Sequence, residues 1–123
     1  SFGDRSMVRV EMEDPIPVQI RWEKNQIEAT IVDISLTGLG VQVNLPEKQI
    51  PTQNTPVNLK FQILERQVEI PGKIVAVFEA NGGYRIATHI EDTSPGYPHI
   101  AQFISRRRID LRQEIQDKYD QAI

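Results

Sequence analysis

The sequence predicts a mainly β domain, a six-stranded antiparallel barrel followed by a long C-terminal α-helix. Three observations lead there. Apolar residues alternate with polar ones in six short runs through the middle of the chain. Turn-forming residues separate those runs. After residue 96 the apolar spacing changes from two to a helical period.

The first run sets Val18, Ile20 and Trp22 against Gln19, Arg21 and Glu23, and Lys24-Asn25 interrupts it. Ile27, Ala29 and Ile31 make the second run, and Leu39, Val41, Val43 and Leu45 the third. Pro46, Pro51 and Pro56 punctuate the chain before the fourth, Val57, Leu59, Phe61 and Ile63. Ile74, Ala76 and Phe78 form the fifth, and Tyr84, Ile86, Thr88 and Ile90 the sixth. Between these last two, Asn81-Gly82-Gly83 has the composition of a hairpin loop. Six half-apolar strands are best buried by closing on themselves, which also removes exposed edges.

Beyond Ser94-Pro95-Gly96, the apolar residues are Ile100, Phe103, Ile104, Leu111, Ile115, Tyr119 and Ala122. A helix from Tyr97 to Ala122 would be about 38 Å long at about 1.5 Å per residue, against about 30 Å for a small domain. Its second half, from Ile109, is expected to project past the barrel. The expected organisation is a leader at 1–10, a barrel at 11–96 and a helix at 97–123.

Composition bounds the function. The 123 residues suit one domain, and 39% hydrophobic with 25% charged residues fits a globular fold. A net charge of −3 argues against binding a nucleic-acid polymer through bulk charge. A local basic clamp is compatible with it. The absence of cysteine excludes a disulfide framework, a thiolate zinc site and a cysteine nucleophile. No apolar run approaches the ~20 residues that span a bilayer. Because the chain opens on Ser1, it is expected to be one domain of a longer protein.

Two short motifs stand out. Arg5-Ser-Met-Val-Arg9 puts two arginines four apart before the first strand. Asp33-Ile-Ser35-Leu-Thr-Gly38 follows the second. Taken singly, the first reads as a solvated pair and the second as turn chemistry, with Asp and Ser capping backbone N–H groups and Gly allowing positive φ. In this order and separation, within a strand-rich chain ending in a helix, they resemble the PilZ domain family, which carries Arg-x-x-x-Arg and then Asp/Asn-x-Ser-x-x-Gly. The resemblance runs from Arg5 to about Ile104 and includes Gly72-Lys-Ile-Val-Ala-Val and Gly83-Tyr-Arg-Ile-Ala-Thr-His-Ile. Two departures are Ala87, where the family usually has Gly, and Ile90, where it usually has Phe. Both lie far from the motifs along the chain and are expected to bear on packing rather than on ligand binding.

The resemblance implies a receptor for the bacterial second messenger cyclic di-GMP, with the ligand on the outer barrel wall. It implies that Arg5 and Arg9 grip guanine and phosphate. Asp33 and Ser35 would contact the ligand from the wall, and Gly38 would shape the turn. The residue chemistry agrees. Arginine can chelate guanine O6 and N7, pair a phosphate bidentately and stack on a base. A carboxylate accepts from the guanine N–H edge, and a Ser hydroxyl serves either kind of partner. No cofactor is expected. The implied partner is an effector, covalently attached or separate, with a bacterial cellulose synthase as the leading analogy. The expected location is the cytoplasm, or the cytoplasmic part of an inner-membrane protein.

Other sites are less well supported. His89 and His99 lack metal-ligand spacing. Glu11, Glu13 and Asp14 read as a solvated acidic run with no calcium-loop pattern. Ser35 with Asp33 has no histidine base and no nucleophile elbow, so catalysis is not expected. Arg106, Arg107 and Arg108, followed by Asp110, Glu114 and Asp117, read as a mixed-charge helix face. Leu111, Ile115 and Tyr119 are candidates for a self-association seam or an effector contact. An oligonucleotide-binding barrel would need outward aromatics; Trp22, Phe61, Phe78 and Tyr84 share phase with the inward aliphatic positions and read as core.

Overall fold

The computed structural model describes residues 10–107, with side chains from residue 14. Six strands make the barrel: β1 Val10–Trp22, β2 Asn25–Ile34, β3 Gly38–Val43, β4 Pro56–Ile63, β5 Arg66–Ala80 and β6 Gly83–Ile90. Every neighbouring pair is antiparallel, and the order β1-β2-β3-β6-β5-β4 closes because β4 also pairs with β1. One 3-10 turn, Glu47–Gln49, lies between β3 and β4. A helix, α1, occupies 97–107. Among the described residues no helix is long and apolar enough to cross a membrane.

The core follows the alternation. Val18 and Ile20, Ile27, Ala29 and Ile31, Leu39, Val41 and Val43, Val57, Leu59, Phe61 and Ile63, and Ile86 and Ile90 all point inward and are buried. Trp22 and Tyr84 are half-buried at the margin of that core. Ile100 and Ile104 of α1 are 0% and 2% exposed, so the helix closes the barrel interior. Burial of that kind contributes about 1.5–3 kcal/mol per side chain.

The hairpins are tight. Leu64 and Glu65 both adopt positive φ between Ile63 and Arg66, which are themselves paired. Asn81 and Gly82 do the same between Ala80 and Gly83. Two positive-φ residues give the turn whose twist matches a right-handed ladder. The Leu64-Glu65 turn carries no glycine or asparagine, and the early half of β5, with buried Val68 and Ile70, went unrecognised as strand in the sequence.

One expectation about the core is corrected. β5 slips register against β6 between Ile74 and Ala76. Ile74 points inward, Val75 is the additional residue, and Val77 packs on the core in place of Ala76 and Phe78. Phe78 therefore faces outward, 53% exposed, and is not a core residue. A bulge reverses the phase of every residue beyond it.

Candidate functional site

The site is built where β2 turns into β3. Inward Ile27, Ala29 and Ile31 would, by strict alternation, carry Asp33 into the core. Instead β2 pairs Ile31 with Val41 and then Asp33 with Gly40, leaving Val32 unmatched. Ile31 and Ile34 are both fully buried. This bulge turns Asp33 to the outer wall, opposite Gly40, while Ile34 takes the inward place.

Although it faces outward, Asp33 is only 7% exposed. Its carboxylate lies directly over Gly40. A β-carbon at residue 40 would stand 2.5 Å from Asp33 Oδ2 and 2.7 Å from Oδ1. Arg85 of β6 is one of the carboxylate's partners, with Nη1 3.6 Å from Oδ2. Arg85 Nε donates to Gln42 Oε1 at 3.4 Å, and Gln42 Nε2 donates to the Ala80 carbonyl at 2.7 Å. Outward positions of β2, β3 and β6 thus form one connected polar surface.

Ser35 governs the turn that follows. Its backbone N–H donates to the Gly38 carbonyl at 2.9 Å. Its Oγ accepts from the N–H groups of Thr37 and Gly38 at 3.3 and 3.2 Å. The same Oγ lies 3.2 Å from Thr37 Oγ1 and 3.3 Å from the Gly38 carbonyl. Such side-chain-to-backbone bonds hold a turn closed. At 5% exposure, Ser35 is part of the wall's framework.

Gly38 begins β3, and the reason for glycine there differs from the turn conformation expected. Its φ is not positive. A β-carbon would collide with the Thr88 carbonyl of β6, so the residue serves close approach of two strands.

The α1 helix touches the same turn. Tyr97 OH donates to the Leu36 carbonyl at 2.8 Å. At the described end of α1, Arg106 is exposed, whereas Arg107 is half-buried with its Nε shielded and without a hydrogen-bond partner among the described residues.

Asp33, Ser35 and Gly38 are thus brought together. Arg5 and Arg9 lie outside the described residues, as do Arg108 and the tail positions Leu111, Ile115, Tyr119 and Ala122. The first described residue of β1, Val10, pairs with Ile34, and Glu11 with Asp33. The chain thus enters the barrel beside the carboxylate, one residue after Arg9.

Sequence reasoning missed Gly40, Gln42 and Arg85. Gly40 left a signal, since a glycine between alternating Leu39 and Val41 marks a place where another group comes close to the strand. Gln42 and Arg85 left none, being ordinary outward polar residues of a strand. The departure at Ala87 is also nearer the site than its sequence position implied. Ala87 pairs directly with Gly40, next to the carboxylate. Ile90 is 1% exposed and fills the core. Among the described residues no group of three or more His, Asp or Glu is arranged to hold a metal.

The PilZ domain family model matches residues 4–106. No curated protein matches the chain in sequence. Among solved structures, the chain is similar to the inhibitor of motility MotI/DgrA of Bacillus subtilis, with TM-score 0.70 and 20% identity over 86% of this chain and 52% of that one. It therefore spans about half of that protein. It is similar to the PilZ domain of YcgR from Escherichia coli, described with c-di-GMP, at TM-score 0.67 and 15% identity, covering 94% and 97% of the two chains. The PilZ domain of CeSA from a cellulose-synthesizing bacterium gives TM-score 0.61 and 17% identity over 81% and 98%. At these identities the likeness is one of fold.

Proposed function

The chain belongs to the PilZ domain family, and from that premise we propose that it is a cyclic di-GMP-binding regulatory domain, not an enzyme, that relays binding to an attached or partner effector. The observation that carries the reading is the carboxylate of Asp33, turned by a bulge onto the outer wall and set beside the Ser35 turn. This is one of the two motifs that the resemblance assigns to the ligand. The YcgR domain of the same fold is described with c-di-GMP, which supports the same ligand here.

In this reading Asp33 accepts from the N–H edge of a guanine, and Ser35 Oγ, shared with the turn, supplies a second polar contact. Gly38 keeps the turn against β6. Arg5 and Arg9 clamp guanine and phosphate and fold onto the barrel as the ligand binds. A dianionic ligand is matched by such a local pair of cations whatever the net charge. Ordering of the leader is the switch, because a ligand shifts a conformational balance only through unequal affinity for its two states.

The effector proposed by analogy is a cellulose synthase-type glycosyltransferase, with the domain in the cytoplasm. Its support is the fold shared with the CeSA domain, and the likeness to the motility protein MotI/DgrA supports other effectors on the same ground. An upstream glycosyltransferase in the full-length protein would establish it, and its absence would remove it.

A second reading is an interaction or oligomerisation module with a weak nucleotide site. Val75 and Phe78, 48% and 53% exposed on the outer face of β5, favour it. The tail helix is its proposed contact.

Calorimetric titration with cyclic di-GMP separates the two. The wild-type chain is expected to bind at micromolar affinity or tighter, Arg9→Ala to lose binding and GTP to give none. No heat with the wild-type chain at high ligand would end the receptor reading. Hydrogen exchange at residues 1–10 is expected to slow on binding, and identical exchange with and without ligand would remove the leader switch.

A further inference from the structure

Neither sequence motif contains Arg85, yet its guanidinium reaches the site. It projects outward from β6 between Gln42 on β3 and Phe78 on β5, its cross-strand partners. Gln42 is anchored by its amide N–H to the Ala80 carbonyl, which leaves its amide oxygen to accept from Arg85 Nε. The head group is thereby held beside Asp33, with Nη1 3.6 Å from Oδ2 and a side chain 25% exposed. That distance is an ion pair rather than a hydrogen bond. A guanidinium has five N–H donors. Beyond the contacts to Gln42 and Asp33, those of Arg85 have no partner among the described residues.

We infer that Arg85 is a further ligand-contact residue and, with Asp33, reads guanine against adenine. The inference rests on the reading of this wall as a cyclic di-GMP site. The pair offers, in order, an N–H donor at Arg85 Nη1 and two acceptors at Asp33 Oδ2 and Oδ1. The guanine edge offers the complement: O6 accepts, and the N1 and N2 groups donate. Adenine in the same pose sets its N6 donor against Nη1 and its N1 acceptor against Oδ2, and brings only a C–H to Oδ1. Mismatched polar groups held together out of water are strongly disfavoured. Asp33 alone would reward the two guanine donors; Arg85 adds a contact to O6 and a repulsion against the adenine amine. Gln42 acts as a positioning residue that keeps the donor on the correct side.

The test is calorimetric titration of the chain with cyclic di-GMP, cyclic di-IMP and cyclic di-AMP, for the wild type, Arg85→Ala and Arg85→Lys. Inosine keeps O6 and N1–H but lacks the N2 amine. Arg85→Ala is expected to weaken cyclic di-GMP and cyclic di-IMP by the same factor, about 10- to 100-fold, the worth of a charge-assisted hydrogen bond. Cyclic di-AMP should not weaken, so discrimination narrows. Arg85→Lys, which keeps the charge, should retain part of the preference and serves if the alanine variant does not fold. An unchanged affinity for cyclic di-GMP would overturn the inference. So would an equal loss for all three ligands, which would reduce Arg85 to a general charge. A loss that shrinks with cyclic di-IMP would also overturn it, because Arg85 would then act only by placing Asp33 on the N2 amine. Failure of the wild-type chain to bind cyclic di-GMP would instead remove the underlying site reading, and this inference with it.

Discussion

The carboxylate of Asp33 occupies the space that a side chain on Gly40 would fill, with both oxygens within 2.7 Å of the ideal β-carbon position. Gly40→Ala is therefore expected to push the carboxylate off the wall. Overpacking of this kind costs about 1–3 kcal/mol, enough to lower Tm by several degrees. Cyclic di-GMP affinity should fall with it. Calorimetry on the variant measures both, and an unchanged affinity would show that the position of the carboxylate does not matter for binding.

Gly38→Ala should be the more damaging of the two glycine changes. Its β-carbon would meet the Thr88 carbonyl, which is backbone within the β3–β6 ladder, whereas at Gly40 it meets a side chain that can rotate. Thermal unfolding of the two variants side by side gives the order. A lower Tm for Gly40→Ala than for Gly38→Ala would contradict this account.

Ser35→Ala leaves the N–H groups of Thr37 and Gly38 without their shared acceptor. The turn is only partly buried, with Thr37 exposed, so water can replace part of that bonding and the expected loss is about 0.5–1.5 kcal/mol. Ser35→Thr retains the hydroxyl and should restore most of the stability. Denaturant titration reads both, and equal stability of alanine and wild type would show the turn to be held by other bonds.

Tyr97→Phe removes one hydrogen bond, that from the phenol to the Leu36 carbonyl, and leaves the ring in place. The expected loss is about 0.5–1.5 kcal/mol. Faster amide exchange should be confined to residues 35–38 and the start of α1. Uniform acceleration across the barrel would show that the bond supports the whole fold rather than a local link between turn and helix.

Phe78, beyond the β5 bulge, and Phe61, on the regular strand β4, test the outward and inward assignments. Phe61 is 4% exposed and Phe78 is 53% exposed. Phe61→Ala should cost about 3–5 kcal/mol, and Phe78→Ser no more than about 0.5 kcal/mol. A large loss at Phe78 would mean that its ring is covered in the folded protein.

Much of the architecture was legible in the residues. Alternation at Val18–Trp22, Leu39–Val43, Val57–Ile63 and Tyr84–Ile90 identified strands and their inward faces, because one buried face demands a period of two. The Asn81-Gly82 turn was visible because few residue pairs accept positive φ in succession. The change of period after Gly96 placed α1, whose helically spaced Ile100 and Ile104 are buried. Asp33, Ser35 and Gly38 were recognisable through their spacing and their resemblance to a family motif.

What pairing across strands decided could not be read along the chain. Val32 and Val75 are unremarkable β-formers, and nothing local marks either as the surplus residue of a bulge. Yet the first turns Asp33 out of the core and the second turns Phe78 out of it. The roles of Gly38, Gly40 and Arg85 have the same origin, since each depends on a neighbour 7 to 52 positions away that only the ladder brings close. Burial needs only composition and period, which are local properties. Register is set by hydrogen bonds between distant segments, and it was register that put a carboxylate, a glycine and an arginine at one point on the barrel wall.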